Sequence, residues 1–119
     1  MTNNNGNYIS TFILDFQTID FESDSKVAIK LLSEYQKMCN LSNNDHNNFA
    51  LDDPVSSAGW SFAKLFLSGQ FVIKLYAINS NEINKSRGKK FEEKFVSWLN
   101  TKLKNNSCEA QVKIAMEMK

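Results

Sequence analysis

Residues Gly59 to Ile78 read GWSFAKLFLSGQFVIKLYAI, and the folding of this stretch decides the rest. From Trp60 to Leu67 the side chains alternate at a strand's period of two. Ser68-Gly69 follows, and glycine supplies the positive φ of a two-residue turn. The expectation is a hairpin in which Leu67 faces Gln70, Leu65 faces Val72 and Phe62 faces Leu75. Trp60, Phe62, Phe66, Phe71, Ile73, Leu75 and Ala77 then share one face, with Lys64 its only charge. Ser61, Ala63, Leu65, Leu67, Val72, Lys74, Tyr76 and Ile78 share the other. A slip of one residue would scatter the large aromatics over both faces, which argues for this register. A helix over 57–67 is the competing reading, and the alternation and Gly59 count against it.

Upstream lies one long irregular stretch, Asn40 to Ala58, which Phe49, Leu51 and Val55 would pin to the core. At this length such a connection is often functional or disordered. Before it, Ala28, Leu31, Leu32, Tyr35 and Cys39 recur at helical spacing, giving an amphipathic helix over 24–40 capped by Ser23-Asp24-Ser25. Tyr8 to Phe21 reads as a long strand. Its apolar phase shifts at Ile19 and Phe21, which suggests a bulge near Gln17-Thr18. Residues 1–7 are expected as a flexible tail on a single α+β domain, 8–119.

Downstream, Phe91, Phe95, Leu99 and Leu103 fall four residues apart, giving a second helix over 83–104. Cys108 to Met118 alternates apolar with polar, a strand with one wet face. The order strand, helix, strand, strand, helix, strand is the split βαβ or ferredoxin-like pattern, a four-stranded antiparallel sheet with two helices on one face. Right-handed crossovers put the first strand and Phe71–Ile78 at the centre. The helices would cover the face of Phe12, Phe16, Trp60, Phe62, Phe71, Leu75 and Ile114. Ile13, Leu65, Leu67, Val72 and Tyr76 would lie open among Thr11, Asp15, Lys74, Gln111 and Lys113.

The chain of 119 residues is long enough for a core without disulfide or metal support. No apolar run reaches the roughly 18 residues of a membrane span, and the polar, uncharged start MTNNNGNY is not expected to act as a signal or transit peptide. Cys39 and Cys108 form no CxxC pair and fall on apolar faces, so they are expected as buried free thiols of a cytoplasmic protein. The net charge of +1 is unevenly spread. Residues 1–59 hold three Lys against eight acids, −5, and residues 60–119 hold eleven Lys or Arg against five Glu, +6.

The chemistry-bearing patterns are few. His46 is the only histidine; with Asp45, Asp52 and Asp53 it makes no recognisable metal spacing. There is no nucleophile elbow, P-loop or dinucleotide glycine pattern. No catalytic residue, metal or cofactor is expected. Lys85, Arg87, Lys89 and Lys90 form the densest charge cluster, placed where a helix start could hold a phosphate.

Two functions are therefore expected. The first is a small non-catalytic module that binds another protein, in the manner of an immunity protein or a phage-encoded anti-defence inhibitor. Asp45, Asp52 and Asp53 would steer a basic toxin or nuclease, and the open face of Leu65, Leu67, Val72 and Tyr76 would grip it. The same face could pair two copies. The alternative is a nucleic-acid-binding protein using the 85–90 cluster. Stacking of bases would need aromatics on the open face, where this reading leaves only Tyr76.

Overall fold

A computed structural model describes residues 11–40 and 48–115. The tail 1–7, Asp45, His46 and the end of the last expected strand, 116–119, lie outside the described residues. The fold is α+β, with three helices and a five-stranded antiparallel sheet. In chain order the elements are β1 (Phe12–Thr18), α1 (Phe21–Met38), β2 (Phe49–Leu51), β3 (Val55–Ser57), β4 (Trp60–Leu67), α2 (Gly69–Lys85), α3 (Phe91–Asn105) and β5 (Gln111–Ile114). The sheet order is β2-β4-β1-β5, with β3 also on β4. β2 lies against Leu65–Leu67 and β3 against Trp60–Phe62, so the two run in tandem along one edge of β4. This is not the expected four-strand, two-helix pattern, and the strand order differs from the expected one.

The main correction concerns Ser68-Gly69. It is a helix start. Ser68 is the N-cap of α2, and its hydroxyl accepts from the Phe71 N–H at 3.1 Å. Phe71 to Ile78 continues as helix, with Phe71, Val72, Leu75 and Ile83 buried at helical spacing. A kink at Asn79 divides α2, where the Asn79 amide donates to the Leu75 carbonyl at 3.1 Å. The strand expected to face β4 is therefore absent, and β1 takes its place. The true hairpin turn is Ala58-Gly59, between β3 and β4, with φ of 53° and 85°. Positive φ at both central residues is what a type I′ turn requires.

The second correction is which face of β4 is inside. Leu14, Phe16, Leu65, Leu67 and Val112 point into the core with Leu32, Phe71, Leu75, Phe95, Trp98 and Leu99. Trp60 and Phe62 point away from it. Size does not decide the matter, because both faces of β4 are apolar. The aromatic bulk of the core comes from β1 and the helices, while β4 adds Leu65 and Leu67, with Ala63 also buried.

The change of phase after Gln17 is not a bulge. The strand ends at Thr18, and Phe21 returns to the core as the first residue of α1. Asp20, rather than Ser23-Asp24-Ser25, caps that helix by accepting from the Ser23 N–H at 3.2 Å. Asp24 is buried in the first turn. Its carboxylate accepts from the Thr18 hydroxyl and, at 3.1 Å, from the Glu109 N–H, tying α1, β1 and the approach to β5 together. The helix expected to begin at 83 begins at Phe91.

Candidate functional site

The alternation of β4 places Trp60, Phe62, Lys64 and Phe66 on the outward face of a central strand. Residues directly opposite one another in an antiparallel sheet share a face, so the register maps this surface in rows. One row runs Ser57–Trp60. The next runs Val55–Phe62–Gln17–Gln111 across four strands. The third has Lys64–Asp15–Lys113, and the fourth Ala50–Phe66–Ile13. Trp60 is 40% exposed, Phe62 41% and Val55 69%, while Phe66 is half-buried. At the centre, the Lys64 ammonium lies 2.5 Å from the Asp15 carboxylate. This pair is solvent-exposed, so its energetic worth is small, and its effect is to hold Lys64 along the sheet.

Asp52 closes the gap between β2 and β3. Its N–H donates to the Lys64 carbonyl at 3.0 Å, and its carboxylate accepts from the Lys64 N–H at 2.7 Å. The side chain thus supplies an acceptor for the Lys64 N–H at a position that the ladders of β2 and β3 do not reach. This assigns Asp52 a structural role beyond that of a steering charge. Asp53 is exposed. Of the expected apolar grip, Leu65 is 1% exposed, Leu67 0% and Val72 3%, so all three belong to the core. Tyr76 sits on α2, where its hydroxyl accepts from the Asn84 amide at 2.9 Å and its ring meets Phe91 edge-on. The expected set is not brought together on an open face.

The basic cluster divides. Lys85 ends α2, and Arg87, Lys89 and Lys90 fill the turn to α3. The N–H groups of Lys89 and Lys90 are taken by the Glu93 carboxylate, at 2.7 and 3.4 Å. Those bonds hold its pKa below the ordinary glutamate range. The helix start that was expected to receive a phosphate is therefore already capped by a carboxylate. Arg87 instead lines an open groove of about 890 Å³ between α3 and β5, with Lys104 and Lys113. In the same groove the Asn100 amide donates to the Val112 carbonyl at 3.0 Å and accepts from the Val112 N–H at 2.9 Å. Asn100 thereby satisfies the outward backbone groups of one residue of an edge strand.

Cys39 and Cys108 are buried and free. Burial raises both thiols, Cys108 to about 11, which suits neither for nucleophilic work near neutrality. Among the described residues no three His, Cys, Asp or Glu side chains could hold a metal, and no helix is long and apolar enough to cross a membrane.

The sheet face thus combines three aromatics, two glutamines and a charged row, with the groove beyond its β5 edge. The sequence reading missed it by turning Trp60, Phe62 and Phe66 inward. The signal was present, since their spacing places all three on one face whichever way that face points. Comparison with protein-family models, curated proteins and solved structures finds no match.

Proposed function

We propose that this protein is a non-catalytic binding module that holds its ligand on the open face of its sheet. The observation that carries this reading is the exposure of Trp60, Phe62 and Val55 as neighbours in the register, with Phe66 further along the same strand. Leaving apolar surface in water forgoes roughly 25 cal/mol per Å². Contiguous aromatics with a polar rim are the composition of contact surfaces, where Trp in particular acts as an anchor. A stoichiometric inhibitor steered by acidic residues is one form such a module takes. Among the described members of its charged set, Asp52 is engaged in the strand edge, and Asp53 remains for steering. The contact surface we propose is the sheet face instead of the Leu65, Leu67 and Val72 set.

The test uses native extract from the source cell and three baits. They are the wild type, Trp60→Ser/Phe62→Ser, and Ile73→Ser/Ile78→Ser as a control for exposed apolar residues on α2. Material of any class, protein or nucleic acid, should be retained by the wild type and the control and lost from the sheet variant. The sheet variant should melt within a few degrees of the wild type, since both side chains are largely outside the core. Retention of nothing, or of material held equally by all three baits, would overturn the proposal.

A further inference from the structure

We infer that the ligand of this face is single-stranded nucleic acid, with bases stacked on Trp60 and Phe62 and phosphates led past Lys113 toward Arg87 and Lys104. The inference rests on the sheet face being the binding surface and names what it binds.

Three features of the face favour nucleic acid over a protein partner. The aromatics stand on alternate residues of one central strand, and an aromatic ring lying on an open sheet offers its face to a base. The row containing Phe62 continues into Gln17 and Gln111. A carboxamide presents a donor and an acceptor side by side, which matches the edges of bases, and here one amide adjoins the stacking position of Phe62 with a second on the next strand. Apart from Lys64, which is paired with Asp15 at the centre, the cations lie on one side. Lys113 stands on the same face at the β5 edge, and Arg87 and Lys104 continue past that edge in the groove. Glu93 and Glu109 line the groove as well, so three cations face two carboxylates and its net charge is +1, with the Glu93 carboxylate turned to backbone N–H groups. Chain-wide, residues 60–119 carry the +6.

The geometry also selects the strand state. In a duplex the base faces are already stacked on one another, and a sheet face of rings has no access to them. Unpaired bases can splay onto it. The charge is modest, with Lys64 set against Asp15, so stacking should contribute more to affinity than phosphate contacts and the salt dependence should be shallow.

Binding of fluorescein-labelled uridine and thymidine oligomers, and of a duplex of equal length, is measured by anisotropy at low and raised salt. Emission of the exposed Trp60 is followed in parallel, with the buried Trp98 as internal reference. Single strands should bind, quench Trp60 and outcompete the duplex. Trp60→Ala should weaken binding on the order of tenfold or more, while Trp60→Phe keeps most of it. Arg87→Glu/Lys104→Glu should weaken binding and lower the salt slope. No binding of single strands at low salt would overturn the inference, as would binding unaffected by Trp60→Ala. If the extract experiment then yields a protein whose retention needs Trp60 and Phe62, the binding face stands and its ligand is a protein. If retention of every ligand ignores those residues, both readings fall.

Discussion

At Gly88 the backbone has φ of +125°, and a Cβ built there would lie 2.5 Å from Glu93 Cβ and 3.0 Å from backbone atoms of Glu93 and Lys94. Glycine is required twice over, by conformation and by space. Its neighbours explain why the space is so tight. Glu93 folds back to accept from the Lys89 and Lys90 N–H groups, which draws the first turn of α3 against the Gly88 loop. Those Cβ and backbone atoms are not the free end of a flexible side chain, so α3 itself would have to shift. Gly88→Ala should therefore cost about 1–3 kcal/mol of stability, read by urea denaturation. Because Phe91 and Phe95 pack against Phe12, the shift should also reach β1 and appear as amide chemical-shift changes there. An Ala variant with unchanged midpoint and spectrum would show that the loop relaxes at little cost. From sequence Gly88 falls inside the helix expected over 83–104; in the structure it lies in the connection between two helices.

At the scale of elements, the decisive position is Ser68. The segment after it, FVIKLYAI, carries one charge in eight residues and several residues that favour strands, so periodicity alone cannot separate strand from helix over that window. Extending the window to Ile83 brings out the helical spacing of Phe71, Leu75, Asn79 and Ile83. The same Ser-Gly pair that suits a turn also suits a cap. Ser68→Ala removes the acceptor of the Phe71 N–H and should destabilise the fold by about 0.5–2 kcal/mol, while Ser68→Asp keeps an acceptor and should recover most of it. Equal denaturation midpoints for wild type and Ser68→Ala would remove the cap from the account. Elsewhere the elements were legible where one face is clearly polar. Ala28, Leu31, Leu32 and Tyr35 of α1, and Phe95, Leu99 and Leu103 of α3, are buried as their spacing requires. The body of β1 was legible, though the strand runs Phe12–Thr18 and not to Phe21, as was the alternation of β4, but not the orientation of β4. The Ala58-Gly59 turn was hidden because alanine rarely adopts positive φ and gives a weaker signal than Asn-Gly. The candidate site was hidden for the same reason as the orientation, since a strand apolar on both faces does not say which face is covered.

For the molecule as a whole, the three helices must stay on one side of the sheet for the other side to remain open, and Glu82 is a main tie among them. Its carboxylate on α2 accepts from the Lys102 ammonium at 2.8 Å and the Trp98 indole at 3.0 Å, both on α3, and Trp98 in turn packs against Tyr35 of α1. The Lys102 hydrogen bond, followed by that from Trp98, holds the Glu82 pKa below its usual 4.5, and the Lys102 pKa is raised above 10.5 by the same bond. A carboxyl lowered on folding contributes stability above its unfolded pKa and loses it as pH falls through the folded value. A lysine raised on folding contributes below its unfolded pKa and loses it as pH climbs through the folded value. Glu93, also lowered, acts in the acid range with Glu82. On the alkaline side the two buried thiols act first, Cys39 and Cys108, and Cys108 shows the sign. Its thiol stays protonated in the fold to about 11 while the unfolded thiol ionises near 9.0, so stability declines from about 9.0 upward. The melting temperature should therefore be flat through neutrality and fall below about pH 4.5. Glu82→Gln keeps an acceptor for Trp98 but cannot titrate. It should melt lower than wild type at neutral pH and converge with it in acid, because protonation does to the wild type what the substitution has already done. Parallel melting curves down through the acid range, with no convergence, would show that Glu82 does not link these helices through its charge.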